Sequence, residues 1–248
     1  MSPGLGRIRS EGESGAVRAG AQGEAQPGSS LDVRRHLILS MPHMAMGALS
    51  EFFFLKECGD IHWEMVSRGF GRSPQNLCDQ SGNRLYMTFV RVRWQATHPL
   101  TSFVEGDALT FEGTLRRAGA RLFVSKTRLT SKDGRRIDAT LLSSFAYRNA
   151  SGDLVKGLPE LDSSVQQDDE AAAFVAGYFQ LKTALSGQGS RGTHSLAGIE
   201  IEHAAEAIDR SDYCINPYHD INGANLLYFA AYPQVQDHGE RRMMARLL

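Results

Sequence analysis

Met41-Pro42-His43-Met44-Ala45-Met46-Gly47-Ala48-Leu49-Ser50-Glu51-Phe52-Phe53-Phe54-Leu55-Lys56-Glu57-Cys58-Gly59-Asp60-Ile61-His62-Trp63-Glu64 is the stretch on which the fold turns. It enters a long apolar helix through proline and glycine, and the pattern predicts that helix from about Met46 to Ser67. Leu49, Phe52, Phe53, Cys58, Ile61 and Met65 keep to one broad stripe, while Glu51, Lys56, Glu57, Asp60 and Glu64 fall largely off it. His62, Trp63 and Glu64 read as packing and termination. The stretch occurs twice. A shift of 176 positions lays it on Pro217 to Glu240, where His43 meets His219, Gly47 meets Gly223, Ala48 meets Ala224, Phe53 meets Phe229, His62 meets His238 and Glu64 meets Glu240. Phe52 meets Tyr228. A repeated His-x-x-x-Gly-Ala lead-in does not follow from apolar composition, so the reading is a duplicated unit.

Working outward, Val33 to Met41 reads as a first strand that Pro42 ends. A loop rich in glycine follows the helix, from Arg68 to Asn83. Four strands come next, over 84–95, 108–117, 121–130 and 136–148, joined by turns at Ala118-Gly119-Ala120 and Ser131-Lys132-Asp133-Gly134. On the first of them Tyr86, Thr88, Val90, Val92 and Trp94 share a face without charges, which is predicted to cover the helix or line a pocket. Strand, long helix, then four antiparallel strands is the order of the hot-dog fold, in the α+β class.

The predicted division has four parts. Residues 1–30 form a disordered tail, rich in Gly, Ser, Glu, Ala and Arg and unable to bury enough to offset ordering entropy. Residues 31–148 form a first hot-dog unit. Residues 149–196 are a linker holding a helix from Asp168 to Leu185 and a Gly/Ser loop from Ser186 to Gly192. Residues 197–248 begin a second unit with a strand from Ile199 to Ile208 and the repeated helix. Arg241 to Leu248 has no strand alternation, so this tandem, double hot-dog has a first unit that is complete and a second truncated after its central helix. An apolar helix without its sheet argues for a homodimer or for local disorder.

A length of 248 residues allows a substantial core, and a formal net charge of −1 points neither to nucleic acid nor to an anionic membrane surface. No apolar run reaches the length of a membrane span. Cys58, Cys78 and Cys214 show no metal or disulfide spacing and read as free thiols in a cytoplasmic protein. No metal site or cofactor motif is evident.

Chemistry is expected where the buried helices begin. Free backbone N–H groups and the helix dipole there favour a developing oxyanion, and Gly47 and Gly223 sit where a thioester carbonyl would approach the backbone. His43 and His219 precede those glycines, either as acid/base groups or as caps packed under the turn. Asp220 and Asn222 accompany only the second copy; Asn222 is either a plain N-cap or an amide donor. Tyr86, beside Thr88, is either a core tyrosine or a phenol that meets substrate. Glu51 has Leu227 as its counterpart and reads as solvated surface.

The stretches Pro42-His43-Met44 with Gly47, Gly59-Asp60-Ile61-His62-Trp63-Glu64-Met65-Val66, Gly82 to Phe89, Gly106-Asp107 and above all Asp220-Ile221-Asn222-Gly223-Ala224-Asn225-Leu226-Leu227-Tyr228-Phe229-Ala230 resemble the LnmK family of polyketide biosynthetic proteins. The resemblance implies a tandem double hot-dog acting as an acyltransferase and decarboxylase. Such a protein would take an acyl group such as methylmalonyl from acyl-CoA to the phosphopantetheine of an acyl carrier protein, with both thioesters as substrates and no cofactor. The family's key residue is a tyrosine, and Tyr86 is its nearest match. The catalytic candidates are thus Tyr86, Asn222, His43 and His219, with Gly47, Gly223, Asp220 and Thr88 binding substrate. Another hot-dog enzyme, a thioesterase or dehydratase using His43 with Glu51, and a non-catalytic relative that binds an acyl carrier protein are the alternatives.

Overall fold

A computed structural model describes residues 31–186, 193–196, 199–202 and 209–248. The expected tail over 1–30, the greater part of the Gly/Ser loop and the end of the Ile199 to Ile208 strand lie outside the described residues.

The chain opens with β1 (Val33–Ile38), a 3-10 turn at Met41–His43 and a tight ladder of β2 (Met44–Ala45) with β3 (Ala48–Leu49). The long helix α1 (Glu51–Phe70) follows. Then come β4 (Leu85–Ala96), β5 (Ala108–Ala118), β6 (Leu122–Ser131), β7 (Arg136–Arg148) and the short β8 (Leu154–Lys156). All pair antiparallel in the order β1-β5-β6-β7-β4, with β8 beside the end of β7. The strand, helix and four-strand order read from the sequence therefore builds one sheet over one central helix, the hot-dog arrangement.

The helix begins five residues later than predicted. Met46 and Gly47 both take the left-handed conformation, with φ of 52° and 75°, and turn β2 into β3. No helix runs through such a turn. Ser50 then caps α1, its hydroxyl accepting from the Phe53 N–H at 3.2 Å. The helix also continues past His62-Trp63-Glu64 to Gly71, whose φ of 61° ends it.

The buried stripe is rotated from the predicted one. Phe54, Leu55, Cys58, Ile61, His62, Met65 and Val66 are buried, while Phe52 and Phe53 are only half-buried. Opposite them stand Phe111, Leu115, Phe123, Leu129, Leu141 and Phe145 of the sheet. Each such side chain contributes about 1.5–3 kcal/mol by leaving water. Gly113 of β5 lets α1 lie close, since a Cβ there would stand 2.5 Å from Ile61 Cγ2. His62 bridges helix and sheet, with Nδ1 2.6 Å from Ser125 Oγ and Nε2 2.7 Å from Ser143 Oγ.

On β4 the face predicted to cover the helix is corrected. Leu85, Met87 and Phe89 face α1, and after them pairing with β7 slips between Phe89 and Arg91 and leaves Val90 as the extra residue of a bulge. Beyond the bulge Trp94 and Ala96 turn inward. Val90 packs instead on the cluster of the opposite face, which α2 (Asp169–Ser186) covers through Ala171 and Val175.

After β9 (Thr193–Leu196) and β10 (Ile199–Glu202), which pair with each other, the second copy of the motif is not a helix at its predicted start. Residues 217–220 form a turn and Ile221 bridges Leu227. The Asn222 Oδ1 accepts from the N–H groups of Ala224 and Leu226 at 2.9 and 3.1 Å, and Asn225 adopts a φ of 57°. The loop so closed excludes a helix. A 3-10 turn at Phe229–Ala231 leads into α3 (Tyr232–Leu247), so helix occupies the last residues as well. Both lead-ins thus place a histidine on a turn and make an antiparallel pairing before a helix, a two-residue ladder in the first and a single bridge in the second.

Candidate functional site

Phe52, Lys56, Asp60 and Trp63 share one face of α1 by their spacing. Over this face lies the segment from Asn216 to Tyr232. The ring of His219 stacks on Phe52 at 4.1 Å between centroids. Lys56 Nζ stands 5.4 Å from the Phe52 ring and 5.9 Å from that of Tyr228. Phe229 rests against Gly59 and, at 4.2 Å between rings, against Phe89 of β4. A cavity of about 290 Å³ opens where Asp60 and Trp63, the strand from Met87 to Phe89, and the segment from Asn222 to Tyr232 meet. Tyr228 lines it and stands 6.2 Å from Phe52, which links the cavity to the His219 stack.

His219 is oriented from beneath. Its Nδ1 lies 2.8 Å from Oδ1 of Asp220, whose side chain is fully buried. The other carboxylate oxygen accepts from the Asn216 N–H at 2.8 Å. The hydrogen bond from His219 holds the Asp220 carboxyl below the usual range, with the Asn216 N–H and the Tyr213 hydroxyl also favouring its charge. An ionised carboxylate accepting at Nδ1 fixes the imidazole with its proton there and leaves Nε2 as a base.

His43 is held the other way. The Ser40 N–H donates to its Nδ1 at 3.0 Å, so the ring caps the turn at Met41, and it packs on Phe53 at 4.5 Å. Phe52 and Phe53 therefore carry one histidine each, at the start of α1. The N–H of Phe53 is taken by Ser50. Those of Glu51 and Phe52 belong to the first turn of α1 and have no partner within the helix. Glu51, expected on the surface, is half-buried and accepts from Trp94 Nε1 at 2.9 Å. Burial pushes its carboxyl up, opposed by the Trp94 bond and aided by Asp237.

The remaining candidates are dispersed. Thr88 and Asn222 line the cavity. Thr88 also donates to the Ser144 carbonyl at 3.1 Å, while the Asn222 carbonyl oxygen closes its own loop rather than capping a helix. Gly47 serves the β2–β3 turn, and neither it nor Gly223 has anything within 4 Å of where a Cβ would stand. Tyr86 lies on the sheet face away from α1, under the Arg84 guanidinium at 5.1 Å, and does not line the cavity. The phenols that do are Tyr228 and Tyr232, and Tyr228 is pushed up to about 12 by burial and by Asp60 and Glu57, so it is a hydrogen-bond donor at neutral pH. Sequence reasoning passed over Tyr228, Gly59, Asp60 and Trp63. The spacing of Phe52, Lys56, Asp60 and Trp63 and the register of Tyr228 on Phe52 were the available signals.

No protein-family model matches the chain, and no curated protein matches it. Solved structures do. A probable thioesterase from Bartonella henselae aligns at 13% identity and a TM-score of 0.40, over 50% of this chain and 96% of that one. A 1,4-dihydroxy-2-naphthoyl-CoA thioesterase from Synechocystis aligns at 15% identity and 0.40, over 50% and 88%. A 12:0-ACP thioesterase from Umbellularia californica aligns at 12% identity and 0.44, over 83% of this chain and 74% of that one. Among the described residues no group of three or more His, Cys, Asp and Glu stands ready for a metal, and no helix is long and apolar enough to cross a membrane.

Proposed function

We propose that this chain acts on acyl thioesters such as acyl-CoA, with His219 as general base and Asp220 as its orienting carboxylate. The observation that carries the reading is the His219–Asp220 pair, stacked on Phe52 at the start of α1 and joined through Tyr228 to an aromatic cavity. His219 Nε2 takes a proton from the attacking oxygen or sulfur as that atom bonds to the thioester carbon. The N–H groups of Glu51 and Phe52, at the positive end of the helix dipole, hold the resulting oxyanion. Collapse breaks the carbon–sulfur bond, and the imidazolium returns its proton to the departing thiolate.

The attacking group decides the outcome. Water gives a free acid and makes the chain a thioesterase. The phosphopantetheine thiol of an acyl carrier protein gives a new thioester and makes it an acyltransferase, the reading supported by the resemblance of the stretch from Asp220 to Ala230 to the LnmK family. Decarboxylation through Tyr86 draws no support from that residue's position. We take the chain as a complete first unit, a linker and a partial second unit, with the two similar lead-ins as the support for duplication.

Incubation with octanoyl-CoA, with and without a holo carrier protein, tests this. Free CoA is followed colorimetrically and the carrier by mass spectrometry. His219→Ala is expected to lower thioester turnover about 10²–10⁴-fold. Turnover that survives the substitution unchanged sinks the assignment.

A further inference from the structure

We infer that the Tyr228 hydroxyl is a further catalytic group of the reaction proposed above, a hydrogen-bond donor to the thioester carbonyl oxygen beside the His219 base. The inference rests on that reading and adds a side chain to its oxyanion site. Tyr228 and His219 stand on one short stretch that is closed on itself. The Tyr228 N–H donates to the Asp220 carbonyl at 2.7 Å, and Ile221 bridges Leu227 within the loop so formed. The residue that orients the imidazole therefore also anchors the backbone of the phenol. Both rings meet Phe52 of α1, His219 stacked at 4.1 Å and Tyr228 edge-on at 6.2 Å between centroids. A thioester that reaches from the cavity to His219 passes beside Tyr228, which lines the cavity and adjoins the ring on which His219 rests.

Three hydroxyls line the cavity among the described residues, those of Thr88, Tyr228 and Tyr232. Thr88 donates to the Ser144 carbonyl at 3.1 Å. Tyr232 is 59% exposed, so water competes for its hydroxyl. Tyr228 is half-buried against Phe52 and Phe229, and its hydroxyl has no hydrogen-bond partner among the described residues. Burial, with Asp60 and Glu57 nearby, keeps this phenol protonated at neutral pH. A thiolate, whose conjugate thiol titrates near about 8.5, is too weak a base to take that proton, so protonation of the leaving group stays with His219. As the attacking atom bonds to carbon, the carbonyl oxygen gains charge and the hydrogen bond from Tyr228 strengthens. The barrier falls more than binding tightens.

A ketone analogue of octanoyl-CoA, with CH2 in place of the sulfur, cannot be cleaved and reports the hydrogen bond through its carbonyl stretch in infrared difference spectra. The band is expected at lower frequency in the wild type than in Tyr228→Phe. In the same variant kcat for octanoyl-CoA is expected to fall about 10²–10³-fold, with KM changed less than about threefold. An unmoved band, an unchanged kcat, or no binding of the ketone by the wild type overturns the inference. A band that moves while His219→Ala keeps full turnover sinks the proposed base and keeps the Tyr228 donor. An unmoved band with turnover lost in His219→Ala does the reverse.

Discussion

Phe229 occupies the space that a side chain at Gly59 would need, for a Cβ there would meet its Cε1 at 2.6 Å. The absent side chain is what lets the segment from Asn216 to Tyr232 lie on α1. Gly59→Ala gains about 1 kcal/mol of helix propensity but displaces a ring also packed on Phe89, at a cost of about 1–3 kcal/mol. The global midpoint of unfolding is therefore expected to move little. The segment itself is expected to loosen. Faster amide exchange over residues 216–232, with exchange in β5 and β6 unchanged, is the measurement that checks it.

Asp220→Asn keeps the size of the side chain and removes its charge. His219 then loses the acceptor that holds its proton on Nδ1. We expect kcat for thioester cleavage to fall about 10²–10⁴-fold with KM changed less than threefold, because orientation and tautomer are lost rather than binding. A raised KM at unchanged kcat would assign Asp220 to binding alone.

His62 carries an acid limit on stability. Burial pushes it down to about 3. Its ordinary value in an unfolded chain is about 6.5, so the unfolded state binds the extra proton first. The stabilisation is complete above about pH 6.5 and declines as pH falls, by about 1.4 kcal/mol per unit, until about pH 3. Denaturant midpoints between pH 7 and pH 4 read this directly. His62→Ala is expected to lower stability at pH 7 by about 2–4 kcal/mol and to flatten that slope.

Arg35 of β1 meets Glu57, Asp60 and Glu64 of α1. Its side chain is 30% exposed, so water screens part of the interaction. Arg35→Ala leaves three carboxylates facing one another. A loss of about 1–2 kcal/mol is expected, smaller in high salt. Thermal melts at two salt concentrations decide it, and an equal loss at both would point to packing of the arginine stem instead.

The sheet around a central helix was legible because strand alternation and turn chemistry agree locally, as at Asp133-Gly134 between β6 and β7. The start of α1 was not, since Met46 takes a left-handed conformation that its side chain does not announce. The change of inward face along β4, from Phe89 before the bulge to Trp94 after it, was hidden because the bulge at Val90 changes register without changing polarity. Within the site, His219, Asp220, Asn222 and Thr88 were legible from the repeat and its surroundings. Tyr86 was misplaced because counting along a strand gives alternation but not which side meets the helix. Glu51 looked like surface because only tertiary packing brings Trp94 to it.

The imidazole clasped between Ser125 and Ser143 also constrains how this interior diverges. An aliphatic replacement at any one of the three strands the polar atoms of the others, whereas swapping all three at once for apolar groups of matching shape is close to neutral. Intermediate genotypes cross a valley of lost stability. The trio should therefore be inherited or abandoned as a block.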